Sequence, residues 1–291
     1  MRLRSFLFVP ADSERKIARA LETEADALIF DLEDSVAPDR KAVAREGLAE
    51  VLNALPDDRC WRTFVRINPV TSGLALDDLR HVVGRGLDGV MSPKSESRAD
   101  LLRLSHYLDM AEVQAGVTAG AIRILPVVTE TARAVLQLPD LAGGEAIDRL
   151  VAMTWGGEDL ATDLGAATNR REDGNWDDPF RLARSLCLLA AASAGVAAID
   201  TLHADFRDSE GLARACRSAR RSGFAGKLAI HPDQPAVINA AFTPDAAEIA
   251  GARAVVAAFA AADGAGVASL EGRMLDRPHL LQAERLLALA P

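Results

Sequence analysis

The residues of this sequence that could do chemistry lie at the ends of short apolar runs, and most of them are carboxylates. They are Glu33, Asp34, Arg66, Asn68, Lys94, Glu130, Glu158, Asp159, Asp200, Asp205 and His231. Carboxylate oxygens are the ligands of hard cations such as Mg2+, and a set without cysteine and with few histidines does not suit zinc. Arg66 and Lys94 could bind an anionic substrate or stabilise a developing enolate.

Each of these residues also has an ordinary structural explanation. Asp34 could cap the helix that follows it, and Glu158 and Asp159 could complement a helix dipole. Arg66 could form a plain salt bridge. Taken singly, each residue favours the structural explanation. Together they favour a functional site, because all of them are expected at one face of one fold.

The apolar runs alternate with helical stretches along the chain. The runs cover residues 5–9, 27–32, 63–67, 89–92, 123–128, 150–154, 197–202 and 227–230. They are continuously apolar, as in strands that are covered on both faces. Eight such units predict a (β/α)8 TIM barrel, in which active sites lie at the C-terminal ends of the strands.

A doubly wound open sheet is the alternative architecture, because counting runs cannot detect whether a sheet closes. No glycine-rich phosphate-binding loop follows the first run, which argues against a nucleotide-binding sheet of that kind. We therefore predict a TIM barrel over residues 1–242. Residues 243–291 are predicted to form a C-terminal helical extension and lid, with an extended segment over 269–275 between two helices.

Composition excludes several classes of protein. The 291 residues carry a formal net charge of −9 with no basic stripe, so we expect no nucleic-acid partner. The 3 cysteines are far apart, which indicates reduced thiols and not a disulfide framework. A signal peptide and an 18-residue apolar run are both missing from the pattern, so we expect a cytoplasmic protein that does not contact membranes.

Nine segments, in order along the chain, resemble the citrate lyase β-subunit-like, or HpcH/HpaI aldolase, superfamily. One of them is Trp155-Gly156-Gly157-Glu158-Asp159. The segments cover residues 4–10, 29–36, 65–68, 92–97, 129–132, 155–160, 198–201, 226–232 and 272–278. Any one of them is a weak signal, whereas nine in order are a strong one. The resemblance implies a (β/α)8 barrel that assembles as a homotrimer or as a hexamer of two trimers.

The resemblance also implies roles for particular residues. Glu130 and Asp159 match the metal-binding carboxylates of the family, and Glu130 also lies against the substrate. Arg66 matches the arginine that holds the substrate's oxygens. Asp276 matches an acidic residue on the lid segment, which in related lyases reaches a neighbouring subunit's active site. Arg66 and Asp276 are therefore the catalytic candidates.

Four further positions match substrate-binding residues of the family. Phe8, Glu158 and His231 match positions near the substrate, and Arg19 falls where a cation often lies near the phosphates of CoA. The sequence departs from the family at residues 10–13, because Ala11 stands where a glycine is usual.

The activity that the resemblance implies is Mg2+-dependent cleavage of a 3-hydroxyacyl-CoA into an acyl-CoA and a 2-oxo acid, or the reverse. Malyl-CoA, citramalyl-CoA and citryl-CoA are candidate substrates. One alternative is the β subunit of a citrate lyase complex, which acts on a carrier-bound citryl thioester. A CoA-independent aldolase of 2-oxo acids and a non-enzymatic barrel scaffold are others, and thioester hydrolysis after condensation stays open.

Overall fold

The structure is a computed structural model that describes residues 3–262 and 266–290. By its internal packing the chain divides into two compact units, and the division follows Ile238. The sequence-based boundary was placed after residue 242, so the structure assigns the intervening residues to the second unit.

The first unit contains eight parallel strands. They are β1 (Ser5–Pro10), β2 (Ala27–Asp31), β3 (Arg62–Arg66), β4 (Gly89–Ser92), β5 (Arg123–Pro126), β6 (Ala152–Thr154), β7 (Ala197–Asp200) and β8 (Gly226–Ala229). Their order in the sheet is β5-β4-β3-β2-β1-β8-β7-β6, which puts consecutive strands side by side. The two end strands, β5 and β6, meet, and the predicted TIM barrel is thereby confirmed. The open-sheet alternative was wrong.

The seam between β5 and β6 is held by fewer ladder contacts than its neighbours. Isolated parallel bridges pair Ile124 with Leu150 and Val127 with Thr154. The Val151 N–H donates to the carbonyl of Ile124 at 3.1 Å, and the Val128 N–H donates to the carbonyl of Thr154 at 2.9 Å. The barrel is therefore nearly closed, and the pairing at this seam consists of isolated bridges, not of a continuous ladder.

Helices follow the strands and cover the outside of the barrel. They are α1 (Glu14–Leu21), α2 (Lys41–Ala54), α3 (Ala75–Val82), α4 (Arg98–Ala115), α5 (Ala132–Ala142), α6 (Glu158–Leu164), α7 (Asp178–Ser193), α8 (Ser209–Ser222) and α9 (Gln234–Phe242), whose last residues belong to the second unit. Helix α4 shows why such helices begin and end where they do. Ser97 and Asp100 form a capping box at its start, and Gly116 ends it with a left-handed φ of 67°.

The centre of the barrel is a packed apolar core. Phe6, Ile29, Phe64 and Met91 point inward from four neighbouring strands and are at most 2% exposed. Because these inward positions are filled, a ligand has room only at the ends of the barrel.

The second unit contains two helices and a hairpin. Helix α10 (Ala246–Ala261) precedes the antiparallel strands β9 (Val267–Leu270) and β10 (Arg273–Asp276), and α11 (Arg277–Ala288) follows them. The segment over 269–275, predicted to be extended, is divided between these two strands. Glu271 and Gly272 both adopt positive φ angles, of 51° and 76°, and reverse the chain in its middle. None of the described helices combines the length and the apolar character needed to cross a membrane.

Candidate active site

Charged side chains from several strands meet at the C-terminal end of the barrel. Asp31 and Arg66 end β2 and β3, Glu130 follows β5, and Asp159 lies in the first turn of α6 after β6. All four line a pocket of about 280 Å³. The apolar side of that pocket includes Phe8 of β1. Of the strand-end candidates, Arg66, Glu130, Glu158 and Asp159 therefore line one pocket, at the end of the barrel where the prediction places them.

Arg66 is held in one orientation by carboxylates. Strand register places it opposite Asp31. Its Nε and Nη2 both donate to Asp31, at 2.7 Å each, and Nη1 lies 3.1 Å from an oxygen of Glu33. The guanidinium carbon lies 4.9 Å from the centre of the Phe8 ring. A guanidinium has five N–H donors, so donors remain for a ligand in the pocket.

The buried Asp31–Arg66 pair changes the acidity of Asp31. Burial alone would raise the pKa of Asp31, but the hydrogen bonds and positive charge of Arg66 outweigh burial and lower that pKa below its ordinary value. Asp31 is therefore a carboxylate at neutral pH and keeps Arg66 pointed along the pocket wall.

Glu130 is in the opposite electrostatic situation. It is 3% exposed, and burial raises its pKa to about 8. The backbone N–H of Lys94 donates to it and favours its charged form, whereas the negative charges of Asp159 and Glu33 disfavour that form. A buried carboxylate near other carboxylates needs a cation to be ionised at neutral pH.

The donor set fits a magnesium ion. Mg2+ is usually bound by one or two protein carboxylates, and waters or substrate oxygens complete its ligands. Glu130 and Asp159 supply two carboxylates in one pocket. Within the described residues no group of three or more His, Cys, Asp or Glu side chains could hold a metal ion, so nothing there resembles a fully protein-ligated zinc site.

A second buried network lies beneath the pocket. Asp200, at the end of β7, accepts hydrogen bonds from Trp155 Nε1 at 2.8 Å, Arg184 Nε at 2.9 Å and Lys227 Nζ at 3.0 Å. Burial would raise the pKa of Asp200, but Lys227 and Arg184 lower it. The network fixes the indole of Trp155, which lines the pocket and is fully buried.

The predicted substrate-binding residues do not all lie in this pocket. Phe8 and Glu158 line it. His231 follows β8 and stacks on Phe206 with ring centres 4.7 Å apart, outside the pocket lining, although its neighbour Ile230 belongs to that lining. Arg19 lies in the last turn of α1, where its exposed side chain pairs with Glu22 at 3.3 Å. The substrate-binding roles of these four residues stay predictions.

Asp276 belongs to the second unit. It ends β10 and is the N-cap residue of α11, and its backbone N–H donates to Nδ1 of His279 at 3.2 Å. Its side chain is 45% exposed. Its catalytic role also stays a prediction.

Sequence reasoning did not single out Asp31 or Lys227. Neither residue was taken as the polar end of its run, although Asp31 ends β2 and Lys227 lies in β8. The signal for Asp31 was a carboxylate directly after the four apolar residues of β2. Lys227 offered a similar signal, since it is a lysine within a four-residue buried strand.

The candidate site, with its carboxylates and oriented arginine, lies at the C-terminal end of a TIM barrel, where the active sites of barrel enzymes lie. The family model for HpcH/HpaI aldolase/citrate lyase matches residues 4–232. This chain is a member of that family.

Relatives and solved structures agree with this assignment. A citrate lyase subunit beta-like protein of Mycobacterium tuberculosis is 38% identical over 282 residues, which cover 97% of this chain and 93% of the relative. A (3S)-malyl-CoA thioesterase of Cereibacter sphaeroides is 35% identical over 99% of this chain and 94% of its own length. The crystal structure of CitE from M. tuberculosis with magnesium, acetoacetate and coenzyme A has a TM-score of 0.78 and 36% identity, covering 99% of this chain and 97% of the other.

Proposed function

We propose that this protein is a Mg2+-dependent carbon–carbon lyase that cleaves a 3-hydroxyacyl-CoA into an acyl-CoA and a 2-oxo acid, or joins them in reverse. The observation that carries the proposal is the pocket in which Glu130 and Asp159 face an arginine fixed by Asp31. The magnesium and coenzyme A bound to the related CitE protein support it.

Glu130 and Asp159 would hold the magnesium ion. When bound, the ion would supply positive charge that polarises the oxygen destined to become the carbonyl of the 2-oxo acid. The raised pKa of Glu130, about 8, is consistent with a carboxylate whose ionised form is stabilised by a cation.

Arg66 would bind the oxygens of the substrate. Asp31 occupies its Nε and one Nη2 donor, so the remaining N–H groups can donate to a carboxylate or to an enolate oxygen. Because the guanidinium is held before a ligand arrives, little reorganisation is needed when charge develops on that oxygen.

Asp276 would carry the proton that balances the reaction. In cleavage a base takes the hydroxyl proton, the electron pair of that O–H bond forms the carbonyl, and the C–C bond breaks. This leaves an enolate of the acyl-CoA, which must gain one proton at carbon, so no net proton is gained or lost. Asp276 would donate that proton, and in the condensing direction it would remove it. We further propose a homotrimer or hexamer in which the segment around Asp276 reaches the site of a neighbouring subunit.

Hydrolysis of the thioester is the second candidate activity. It is favoured by the relative named (3S)-malyl-CoA thioesterase, which aligns with 99% of this chain. In that case free CoA, and not acyl-CoA, would be the product of the reaction with malyl-CoA. A carrier-bound citryl thioester is the third candidate, because the M. tuberculosis relative is named for the beta subunit of citrate lyase.

One assay separates these activities. Purified protein would be incubated with malyl-CoA, citramalyl-CoA or citryl-CoA, with Mg2+ or with EDTA, and acyl-CoA, free CoA and 2-oxo acid would be quantified by mass spectrometry. We expect EDTA-sensitive release of acyl-CoA and 2-oxo acid in equal amounts, and no release by Glu130→Gln. Free CoA with an intact hydroxy acid would favour the thioesterase. No turnover of any CoA ester would contradict the lyase proposal and direct the assay to carrier-bound thioesters.

A further inference from the structure

Lys94 adopts a backbone conformation that is unusual for lysine. Its φ is 49°, and only one other described residue besides glycine, Glu271, has a positive φ. A side chain with a Cβ is disfavoured there, so such residues persist only where the surrounding structure enforces them, and they concentrate at functional sites. Contacts of Lys94 with its surroundings must therefore compensate for the energetic cost of this backbone conformation.

Those contacts join four carboxylates that follow three different strands, β2, β5 and β6. The backbone N–H of Lys94 donates to Glu130. Its Nζ contacts Glu33 and lies 3.3 Å from Asp34 Oδ2 and 3.5 Å from Asp159 Oδ1. Lys94 thus contacts both carboxylates assigned to the metal. Its backbone amide donates to Glu130, and its ammonium group lies near Asp159.

The charge balance of this cluster depends on Lys94. Arg66 is already engaged by Asp31 and Glu33. Among the described residues, the ammonium of Lys94 is the one cation recorded within 4 Å of Asp159. Without a divalent cation, the carboxylates of Asp34 and Asp159 have that ammonium group as their shared counter-ion.

We propose that Lys94 is a positioning residue whose ammonium group takes the place of the divalent cation in the metal-free protein. It holds the carboxylates of the site together before the cation binds. When the cation binds, the ammonium group loses its contact with Asp159. The inference rests on the proposed function only in requiring that Mg2+ bind at Glu130 and Asp159. It predicts two effects of removing the ammonium that run in opposite directions. The metal-free protein loses stability, because its carboxylates repel one another, and Mg2+ binds more tightly, because no positive charge competes for Asp159.

The test compares Lys94→Met, Lys94→Gly and Lys94→Arg with the wild-type chain. Lys94→Gly removes the ammonium and also relieves the backbone strain, since glycine accepts a positive φ. Lys94→Arg retains the charge. Lys16→Met is the matched control, because Lys16 is an exposed lysine on α1. Melting temperature in EDTA and in Mg2+, and titration calorimetry with Mg2+ alone, are measured without substrate.

We expect Lys94→Met to melt below wild type in EDTA, to regain the difference in saturating Mg2+, and to bind Mg2+ about tenfold more tightly. Lys94→Gly should show the same gain in Mg2+ affinity, and Lys94→Arg and Lys16→Met should resemble wild type. Unchanged or weaker Mg2+ binding by both Lys94→Met and Lys94→Gly would overturn the inference. If wild-type protein itself fails to bind Mg2+, the proposed function fails, and with it the premise of this inference.

Discussion

The backbone after β6 passes close to the side chain of Glu130, and the residue at that point is a glycine, Gly156. A Cβ added at Gly156 would lie 2.8 Å from Cγ of Glu130 and 3.3 Å from Cγ1 of Val127. Such contacts are shorter than van der Waals distance, so the glutamate would have to move. Gly156 therefore belongs to the geometry of the proposed metal site although it has no side chain.

We expect Gly156→Ala to weaken Mg2+ binding about tenfold, because a displacement of Glu130 by even a fraction of an ångström misplaces one of two protein ligands. Titration calorimetry measures the change. Gly47→Ala is the control, since Gly47 lies on α2 with nothing within 4 Å of an added Cβ. Equal Mg2+ affinity in Gly156→Ala and wild type would show that Glu130 is not a ligand or that its loop adapts freely.

The Asp31–Arg66 pair makes a pH-dependent contribution to stability. The folded-state pKa of Asp31 lies below its ordinary value, so this contribution is complete above the ordinary aspartate pKa of about 3.9 and is lost as pH falls through the lower folded value. Asp31→Asn removes it at all pH values. We expect this variant to lose about 3 kcal/mol at pH 7, because it leaves a buried arginine short of a partner.

Urea unfolding between pH 2.5 and 8 checks this expectation. The gap in the free energy of unfolding between wild type and Asp31→Asn should be constant near neutral pH and should narrow in acid. A gap that stays constant down to pH 2.5 would contradict the coupling between Asp31 and Arg66.

At the scale of single residues, the sequence indicates which residue types meet but not how they pair. Arg66, Glu130, Glu158 and Asp159 were identified because each lies at or after the end of an apolar run, and all four line the pocket. The fixing of Arg66 by Asp31 depends on strand register, which periodicity does not reveal. The left-handed backbone of Lys94 has no sequence signature, because lysine is not a residue that favours it.

At the scale of elements, the seam between β5 and β6 has a charged clamp at its N-terminal end. Glu112 of α4 is fully buried and accepts hydrogen bonds from the backbone N–H groups of Gly120 and Ile122, both at 2.8 Å. Arg149 donates to Glu112 at 2.6 and 2.7 Å and to the carbonyl of Ile122 at 2.9 Å. This Glu112–Arg149 clamp connects Gly120 and Ile122, which precede β5, with Arg149, which precedes β6.

We expect Glu112→Gln to destabilise the fold by about 3 kcal/mol, because a neutral amide reduces the carboxylate partners of the buried Arg149 to the exposed Asp109 and turns an N–H group toward other donors. The pKa of Glu112 is lowered by Arg149 and by the two backbone N–H groups against the effect of burial, which is consistent with a carboxylate held in its charged form. Chemical denaturation of the variant measures the loss.

Glu46→Gln serves as the control for that measurement, because Glu46 is an exposed residue on α2. A loss at Glu112→Gln no larger than the loss at Glu46→Gln would mean that the clamp contributes nothing to closure.

The count of eight strand–helix units predicts these elements and a barrel, but it does not show which contacts close the barrel. Continuous apolar runs locate all eight strands, and β4 (Gly89–Ser92) has the predicted bounds. β1 is one residue longer than its run, β3 and β8 start one residue before theirs, and the other four strands are shorter than their runs. β6 covers Ala152–Thr154 although its run starts at 150, because Leu150 and Val151 pair with β5 only through isolated contacts. Closure rests on long-range backbone pairing and on the Glu112–Arg149 clamp, neither of which leaves a local pattern.

At the scale of the whole molecule, the catalytic hypothesis involves both compact units. Glu130 lies in the first unit and Asp276 in the second. We expect Asp276→Asn to lower turnover at least about a hundredfold, a size typical of losing a general acid or base, while Mg2+ affinity stays unchanged. Asparagine is itself a good N-cap residue, so α11 should be preserved.

Mixing inactive variants tests whether the segment around Asp276 serves a neighbouring subunit. Oligomers reassembled from Asp276→Asn and Glu130→Gln chains should regain part of the wild-type activity, because some sites then combine an intact metal pair with an intact acid. Each variant alone should stay inactive. Mixed oligomers that form but show no recovery would place both residues of a site in one chain.

The isolated pairing between β5 and β6 has a consequence for local opening of the barrel. Glu130 follows β5 and Asp159 follows β6, so the two proposed metal ligands lie on opposite sides of the seam. A cation held by both would tie these strands together at one end while the Glu112–Arg149 clamp ties them at the other. Hydrogen–deuterium exchange should therefore be faster at the amides of Val128 and Val151 than along the β1–β2 ladder, and Mg2+ should slow it there first. Metal binding would then lower the frequency of local opening between β5 and β6. A chelator would raise that frequency at the same two strands that the proposed metal ligands follow.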